Sequence, residues 1–200
     1  MRKVGIMGGT FNPIHFGHLK LALAAFEQYL LDEVLFMPCG NAYMKEDQNI
    51  ESGQIRAEMT ALAIRENPNF KLSTLEIEQP GNTYTYQTLE HLKKENPDAK
   101  YYFIMGADSL FNITRWASPK RIFSNCCILA AVRDDKTIDD MENRIRMLKQ
   151  EYDADIRMLQ TPFMDISSSD IRRKISEGKP IDSYVPEDVR TYIEKRGLYR

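Results

Sequence analysis

Two histidines three residues apart, His15 and His18, follow a glycine-bearing segment, Gly8-Gly9-Thr10-Phe11-Asn12-Pro13-Ile14. The apolar run 4–7 before it reads as a buried strand stopped by Gly8-Gly9, and His15-Phe16-Gly17-His18 opens an apolar helical stretch over 19–31. Strand, glycine turn and helix start together suit an anion. Glycines let backbone N–H groups come close, and the helix N-terminus adds a partial positive charge. A histidine there can donate to a phosphate oxygen, and it binds its own proton more tightly as negative charge builds on a transferring phosphoryl group. An isolated pair at this spacing would more often cap and pack; the glycine segment directly upstream favours the phosphate reading. Zinc is disfavoured, because His91, Cys39, Cys126 and Cys127 lack metal-site spacing.

A second anion element lies far downstream, in Ile166-Ser167-Ser168-Ser169-Asp170-Ile171-Arg172. Hydroxyls and free N–H groups at a helix start, with an arginine in the first turn, suit further phosphates. A plain serine N-cap would also account for the serines. The single tryptophan, Trp116, follows Arg115 in a polar stretch, and it can be a core residue or a stacking platform. Asp108, in the polar turn Gly106-Ala107-Asp108, can be a surface residue or an acceptor for hydroxyl groups.

These residues need a scaffold, and the hydropathy pattern supplies one. Short apolar runs at 4–7, 34–37, 70–73, 101–105, 126–132 and 156–159 read as strands. Between them lie helical stretches over 19–31, from Ser52-Gly53-Gln54 until Asn67-Pro68-Asn69 breaks it, through Leu89 and Leu92, over 119–123 and over 139–152. Two more helices finish the chain, after Ser167 and after Pro186, the last stopped by Gly197. Residues 76–81 read as connection. Alternation of this kind indicates an α/β fold, a doubly wound and mostly parallel sheet with helices on both faces and a C-terminal helical extension. Ligands bind such sheets beyond the strand C-termini, where the strand order reverses. A strand order of 3-2-1-4-5 would make the Gly8-Gly9 and Gly106-Asp108 turns neighbours there.

Bulk composition narrows the function. The chain has 200 residues, 42% hydrophobic and 28% charged, with net charge −2. That balance suits a soluble globular protein and carries no basic footprint for nucleic acid or an anionic membrane. No apolar run approaches membrane length, and three cysteines make no secreted disulfide framework, so the cytoplasm is the expected compartment.

At residues 8–18 the sequence resembles the nucleotidyltransferase superfamily that shares an HxGH motif with class I aminoacyl-tRNA synthetases, and the wording GGTFxPIHxGH is most similar to bacterial nicotinate-nucleotide adenylyltransferases. Residues 166–172 resemble the family's ISSTxIR, with Ser169 in place of threonine. Residues 185–200 resemble its VPxxVxxYIxxxGLY terminus. The resemblance implies one Rossmann-like nucleotidyltransferase domain over 1–200, with its core at 1–160 and the ISSSDIR motif and last helices at 161–200. It implies transfer of AMP from ATP to nicotinate mononucleotide, giving nicotinate adenine dinucleotide and pyrophosphate in NAD biosynthesis. His15 and His18 would be catalytic. Gly8, Gly9, Thr10, Phe11, His15, His18, Gly106, Asp108, Ser167, Ser168, Ser169 and Arg172 would bind ATP, with Asp108 on ribose hydroxyls. Thr83, Tyr84, Thr85, Trp116 and Lys45 would bind the acceptor, Trp116 by stacking on the nicotinate ring and the Thr85 amide by holding its carboxylate. Mg²⁺ would be carried on the ATP phosphates rather than in a protein metal site. The expected partners are these small molecules, with no nucleic acid or membrane and with a homo-oligomer left open.

One segment departs from the family. Where PxxxPPHK is usual, the chain has Pro38-Cys39-Gly40-Asn41-Ala42-Tyr43-Met44-Lys45, which keeps the lysine and loses the proline pair and the histidine. Nicotinamide mononucleotide or 4′-phosphopantetheine as acceptor, and a non-catalytic nucleotide sensor, are the alternatives on the same fold.

Overall fold

The computed structural model describes residues 1–40, 50–132, 137–161 and 166–200. Among these, six strands form one parallel sheet in the order β3-β2-β1-β4-β5-β6. They are β1 Lys3–Gly9, β2 Glu33–Pro38, β3 Phe70–Leu72, β4 Lys100–Gly106, β5 Cys127–Ala131 and β6 Ile156–Leu159. The reversal expected between the first and fourth strands is present: β1 pairs with β2 on one side and β4 on the other, in register Met7 with Phe36 and with Ile104. Beyond 3-2-1-4-5, the sixth strand adds to the outer edge of β5.

Strands covered on both faces carry apolar side chains on both, and their alternation sorts the core into two. Along β4, Tyr102 and Ile104 face one core, which also takes Val34, Phe36 and Leu129. Helices α1 (Phe16–Tyr29) and α2 (Gly53–Ile64) close it through Ala22, Ala25, Met59 and Ile64. Tyr101, Phe103 and Met105 face the other core with Ile6 and Ile128. That core is covered by α4 (Thr85–Glu95), α5 (Ala107–Asn112), α6 (Pro119–Asn125) and α7 (Ile138–Tyr152). The last helices, α8 (Ser168–Ser176) and α9 (Glu187–Arg196), join the first core through Ile171, Val189 and Ile193, followed by Leu198 just past α9. No helix among the described residues is long and apolar enough to cross a membrane.

Three local expectations change. Gly8 and Gly9 do not end the first strand; they continue it, opposite Met37 and Pro38. They are small for a packing reason: a Cβ on Gly9 would lie 2.8 Å from the Phe11 ring, and one on Gly8 3.3 Å from the Phe103 ring. The turn is made two residues later by Phe11, whose φ of 51° is in the left-handed region. Residues 76–81 are not all connection, since Leu75–Glu78 forms a short helix, α3. Gly106-Ala107-Asp108 is a helix start rather than a free turn, with Gly106 as the N-cap of α5.

Candidate active site

Two lobes open side by side at the C-terminal ends of β1 and β4, each about 360 Å³. Gly8, His18, Phe103, Ser109 and Trp116 line both, so these residues form the shared wall.

The first lobe contains the histidines and the serines. His15, 5% exposed, is the N-cap of α1, with extended backbone. Its N–H donates to Nδ1 of His18 at 3.3 Å. The two imidazoles stack at 3.7 Å between centroids, and the Phe11 ring meets His18 edge-on at 5.0 Å. A Cβ on Gly17 would lie 2.9 Å from the His15 ring, which explains the glycine between the histidines. Because Nδ1 of His18 accepts, the neutral ring carries its proton on Nε2 and donates from there.

Facing them, the start of α8 brings Ser167, Ser168 and Ser169 to the same lobe. The capping role of serine is realised here: Ser167 Oγ accepts the Asp170 N–H at 3.1 Å. Ser168 Oγ donates to the Pro13 carbonyl at 2.9 Å, tying α8 to the histidine loop. Gly106 and Asp108 line the same lobe. Phe11 and Arg172 stand behind the lining: Phe11 is 1% exposed, and Arg172 Nη1 donates to the Asn12 carbonyl at 3.0 Å.

The second lobe is more apolar, lined by Ile6, Met37, Leu89, Phe103, Trp116 and Ile122. Gly9 and Thr10 reach it from the histidine loop, while Thr83, Tyr84 and Thr85 border it where α4 begins. Trp116 is half-buried and meets Phe103 edge-to-face at 6.1 Å, which leaves a face for a ligand. Behind Thr83 is a carboxylate: Glu76 accepts from the Thr88 hydroxyl at 2.8 Å and the Thr83 hydroxyl at 3.3 Å. Burial raises its pKa against the pull of those two hydroxyls. Lys45 and the altered residues 41–44 lie outside the described residues.

Four residues of the site escaped sequence reasoning. Ser109 lines both lobes from the first turn of α5, and exposed Lys20 lines the first. Glu76 was hidden in an apparent connection. Arg56, 2% exposed on α2, sends its guanidinium to the carbonyls of Thr10 (2.7 Å), Cys39 (2.7 Å) and Gly40 (2.9 Å), with Nε to Glu51 (2.9 Å). A charged residue on the buried stripe of a helix was the signal available for Arg56. Among the described residues no group of three or more His, Cys, Asp and Glu gathers as a metal cage, and His91 pairs with Glu95 at 3.3 Å outside both lobes.

A nucleotide-sized double cleft with a histidine pair at its junction can be compared with known proteins. The model of the cytidylyltransferase-like family matches residues 6–174. A probable nicotinate-nucleotide adenylyltransferase of Lachnoclostridium phytofermentans is 47% identical over 199 residues, covering all of both chains. One from Clostridium beijerinckii is 40% identical over 204 residues, again covering both chains fully. Among solved structures, Plasmodium falciparum nicotinic acid mononucleotide adenylyltransferase complexed with NaAD superposes with a TM-score of 0.82 over 100% of this chain and 98% of its own, at 21% identity. That likeness bears on the fold, whereas the full-length identities bear on the family. The cleft thus sits in a chain that belongs to the nicotinate-nucleotide adenylyltransferases of the cytidylyltransferase-like family.

Proposed function

We propose that the protein transfers the AMP moiety of ATP to nicotinate mononucleotide, releasing pyrophosphate and forming nicotinate adenine dinucleotide for NAD biosynthesis. The observation that carries this reading is the paired cleft. A lobe lined by His15, His18 and three serines adjoins a mostly apolar lobe lined by Trp116 and the start of α4, and His18 stands in the wall between them.

In this arrangement ATP takes the first lobe, its phosphates between the histidines and Ser167, Ser168 and Ser169, its ribose hydroxyls at Asp108. The acceptor takes the second, with its pyridine ring on Trp116 and its carboxylate at the backbone N–H of Thr85. An oxygen of the acceptor 5′-phosphate attacks the α-phosphorus, the bond from that phosphorus to the bridging oxygen breaks, and pyrophosphate leaves with the bond electrons. His18 donates from Nε2 to the phosphate oxygens as their charge grows. No covalent enzyme intermediate is required, because positioning and charge stabilisation can drive the transfer. Mg²⁺ would be carried on the ATP phosphates, where it would supply charge neutralisation. Residues 1–200 act as one unit in this reading, and its three free cysteines suit the cytoplasm.

The test is the product formed. Initial rates of pyrophosphate release are compared with nicotinate mononucleotide, nicotinamide mononucleotide and 4′-phosphopantetheine as acceptors. The nicotinate form is expected to be preferred; equal rates would overturn the substrate assignment, and no turnover with any acceptor would overturn the enzyme.

A further inference from the structure

The C-terminal residues had no evident role beyond packing, yet Tyr199 ends inside the loop that carries the histidines. Its hydroxyl donates to Oδ1 of Asn12 at 2.8 Å. Asn12 is 2% exposed, and the same oxygen accepts the Glu51 N–H at 3.1 Å. Three other groups grip the loop. Arg56 holds the Thr10 carbonyl (2.7 Å), Arg172 the Asn12 carbonyl (3.0 Å) and Ser168 the Pro13 carbonyl (2.9 Å).

These tethers surround the one backbone position in the loop that resists its conformation. Phe11 has φ 51°, unfavourable for an aromatic residue and maintained only where the surroundings over-determine it. The ring so placed backs His18 edge-on at 5.0 Å, and His18 in turn stacks on His15. A change at Asn12 therefore reaches the imidazoles through one buried side chain.

The end of the chain is shaped to deliver the tyrosine. Gly197, in the left-handed region at φ 62°, stops α9, and the Leu198 N–H bonds back to the Ile193 carbonyl at 3.1 Å. Leu198 enters the first core, and Tyr199, itself at φ 63°, turns its ring toward the loop. Burial, reinforced by the nearby Glu51 charge, raises the Tyr199 pKa, so the hydroxyl stays neutral and remains a donor.

We propose that Tyr199 is a positioning residue for adenylyl transfer, whose hydroxyl sets the histidine loop through Asn12 so that His18 is held for the transition state. This rests on the function proposed above, and the experiment separates the two. Tyr199→Phe removes one hydroxyl and keeps the ring. With ATP and nicotinate mononucleotide, kcat is expected to fall about tenfold, within the range a small misplacement of a catalytic group produces, while both KM values stay within about twofold of wild type. Asn12→Asp, which keeps the acceptor oxygen, should retain most of kcat. Asn12→Leu should lose it, and adding Tyr199→Phe to Asn12→Leu should cost little more, the non-additivity of a coupled pair.

A second readout needs no turnover. The chain has three histidines, so ring resonances in an NMR titration can be assigned one by one. In Tyr199→Phe the His18 and His15 signals should move, while His91, outside the site on α4, should not. Unchanged kcat, or a fall in thermal midpoint with His15 and His18 signals unmoved, would overturn the positioning role. A wild-type protein with no turnover whose His18 signal still responds to Tyr199→Phe would instead sink the proposed reaction and leave the tether standing.

Discussion

The two lobes are built on different scales. The histidine loop that enters the phosphate lobe is held by bonds between distant residues: Arg56 to Thr10 across 46 positions, Ser168 to Pro13 across 155, Arg172 to Asn12 across 160 and Tyr199 to Asn12 across 187. The acceptor lobe is braced locally, by Thr83 and Thr88 on Glu76, 7 and 12 positions away. The histidine loop therefore takes its shape only once the whole chain has folded, whereas the Thr83–Thr88 border of the acceptor lobe is braced within one short segment. On the proposed assignment, the chemistry common to many acceptors would sit where the fold is most constrained, and selection of one acceptor where a few side chains can change without disturbing the rest.

Arg56 is where the two scales meet, because it grips Thr10 on one side and Cys39 and Gly40 on the other. Arg56→Met would leave those half-buried carbonyls without their donor. At about 1–3 kcal/mol for each unsatisfied group, partly offset by removing a buried charge, a loss of about 3 kcal/mol is expected. Urea denaturation measures it as a lower midpoint, and an unchanged midpoint would mean that water replaces the guanidinium and that the lobes are not held from this point.

His18→Ala attacks the junction chemically. Turnover should fall by about 10² or more, the scale of losing one transition-state donor, with the circular dichroism spectrum unchanged. Near-normal turnover in the purified variant would remove His18 from the mechanism and leave the histidine pair as a cap.

The same contrast explains what could be read from the sequence. Patterns confined to neighbours were legible: the apolar runs gave the strands, and the reversal of strand order placed the cleft. The helix start read at Ser52 is present, with Ser52 Oγ accepting the Ile55 N–H, and so is the serine cap weighed for Ser167. Whatever is imposed from a distance was not legible. Gly8-Gly9 looked like a turn because glycines usually make turns; here they make room for the rings of Phe11 and Phe103, and Phe11 turns the chain under tethers from residues up to 187 positions away. Arg172, expected on phosphate, also bonds the distant Asn12 carbonyl, which no local pattern shows. Glu76 escaped because α3 spans four residues, too few for a period to show. Gly40 records that helix from afar, since a Cβ there would fall 2.2 Å from the Glu76 carbonyl oxygen.

If acceptor selection is modular, Trp116→Ala should separate the substrates. Loss of one stacked ring is worth about 1–3 kcal/mol, so the KM for nicotinate mononucleotide should rise about tenfold or more. The KM for ATP should change much less, although Trp116 lines both lobes. Steady-state kinetics with each substrate varied in turn decides it, with Trp116→Phe expected to recover most of the loss. Equal rises in both KM values would show that the shared wall is one unit and erase the contrast between the lobes.

The smallest effect expected is at Glu76, and it is best read as a slope. Burial, the largest influence on this carboxyl, raises its pKa above the ordinary 4.5, while the hydroxyls of Thr88 and Thr83 act in the opposite sense. The folded protein therefore holds this proton more tightly than the unfolded chain does. Its contribution to stability is fully present below the ordinary value and is lost as pH rises through the raised one. Glu76→Gln cannot ionise and should remove that part of the pH dependence, while its remaining carbonyl can still accept from Thr88. Thermal midpoints across a pH series should show the variant gaining on wild type as pH climbs above 4.5. Parallel curves would mean that Glu76 ionises as it would in water, so that the acceptor lobe holds a solvated carboxylate rather than a buried brace.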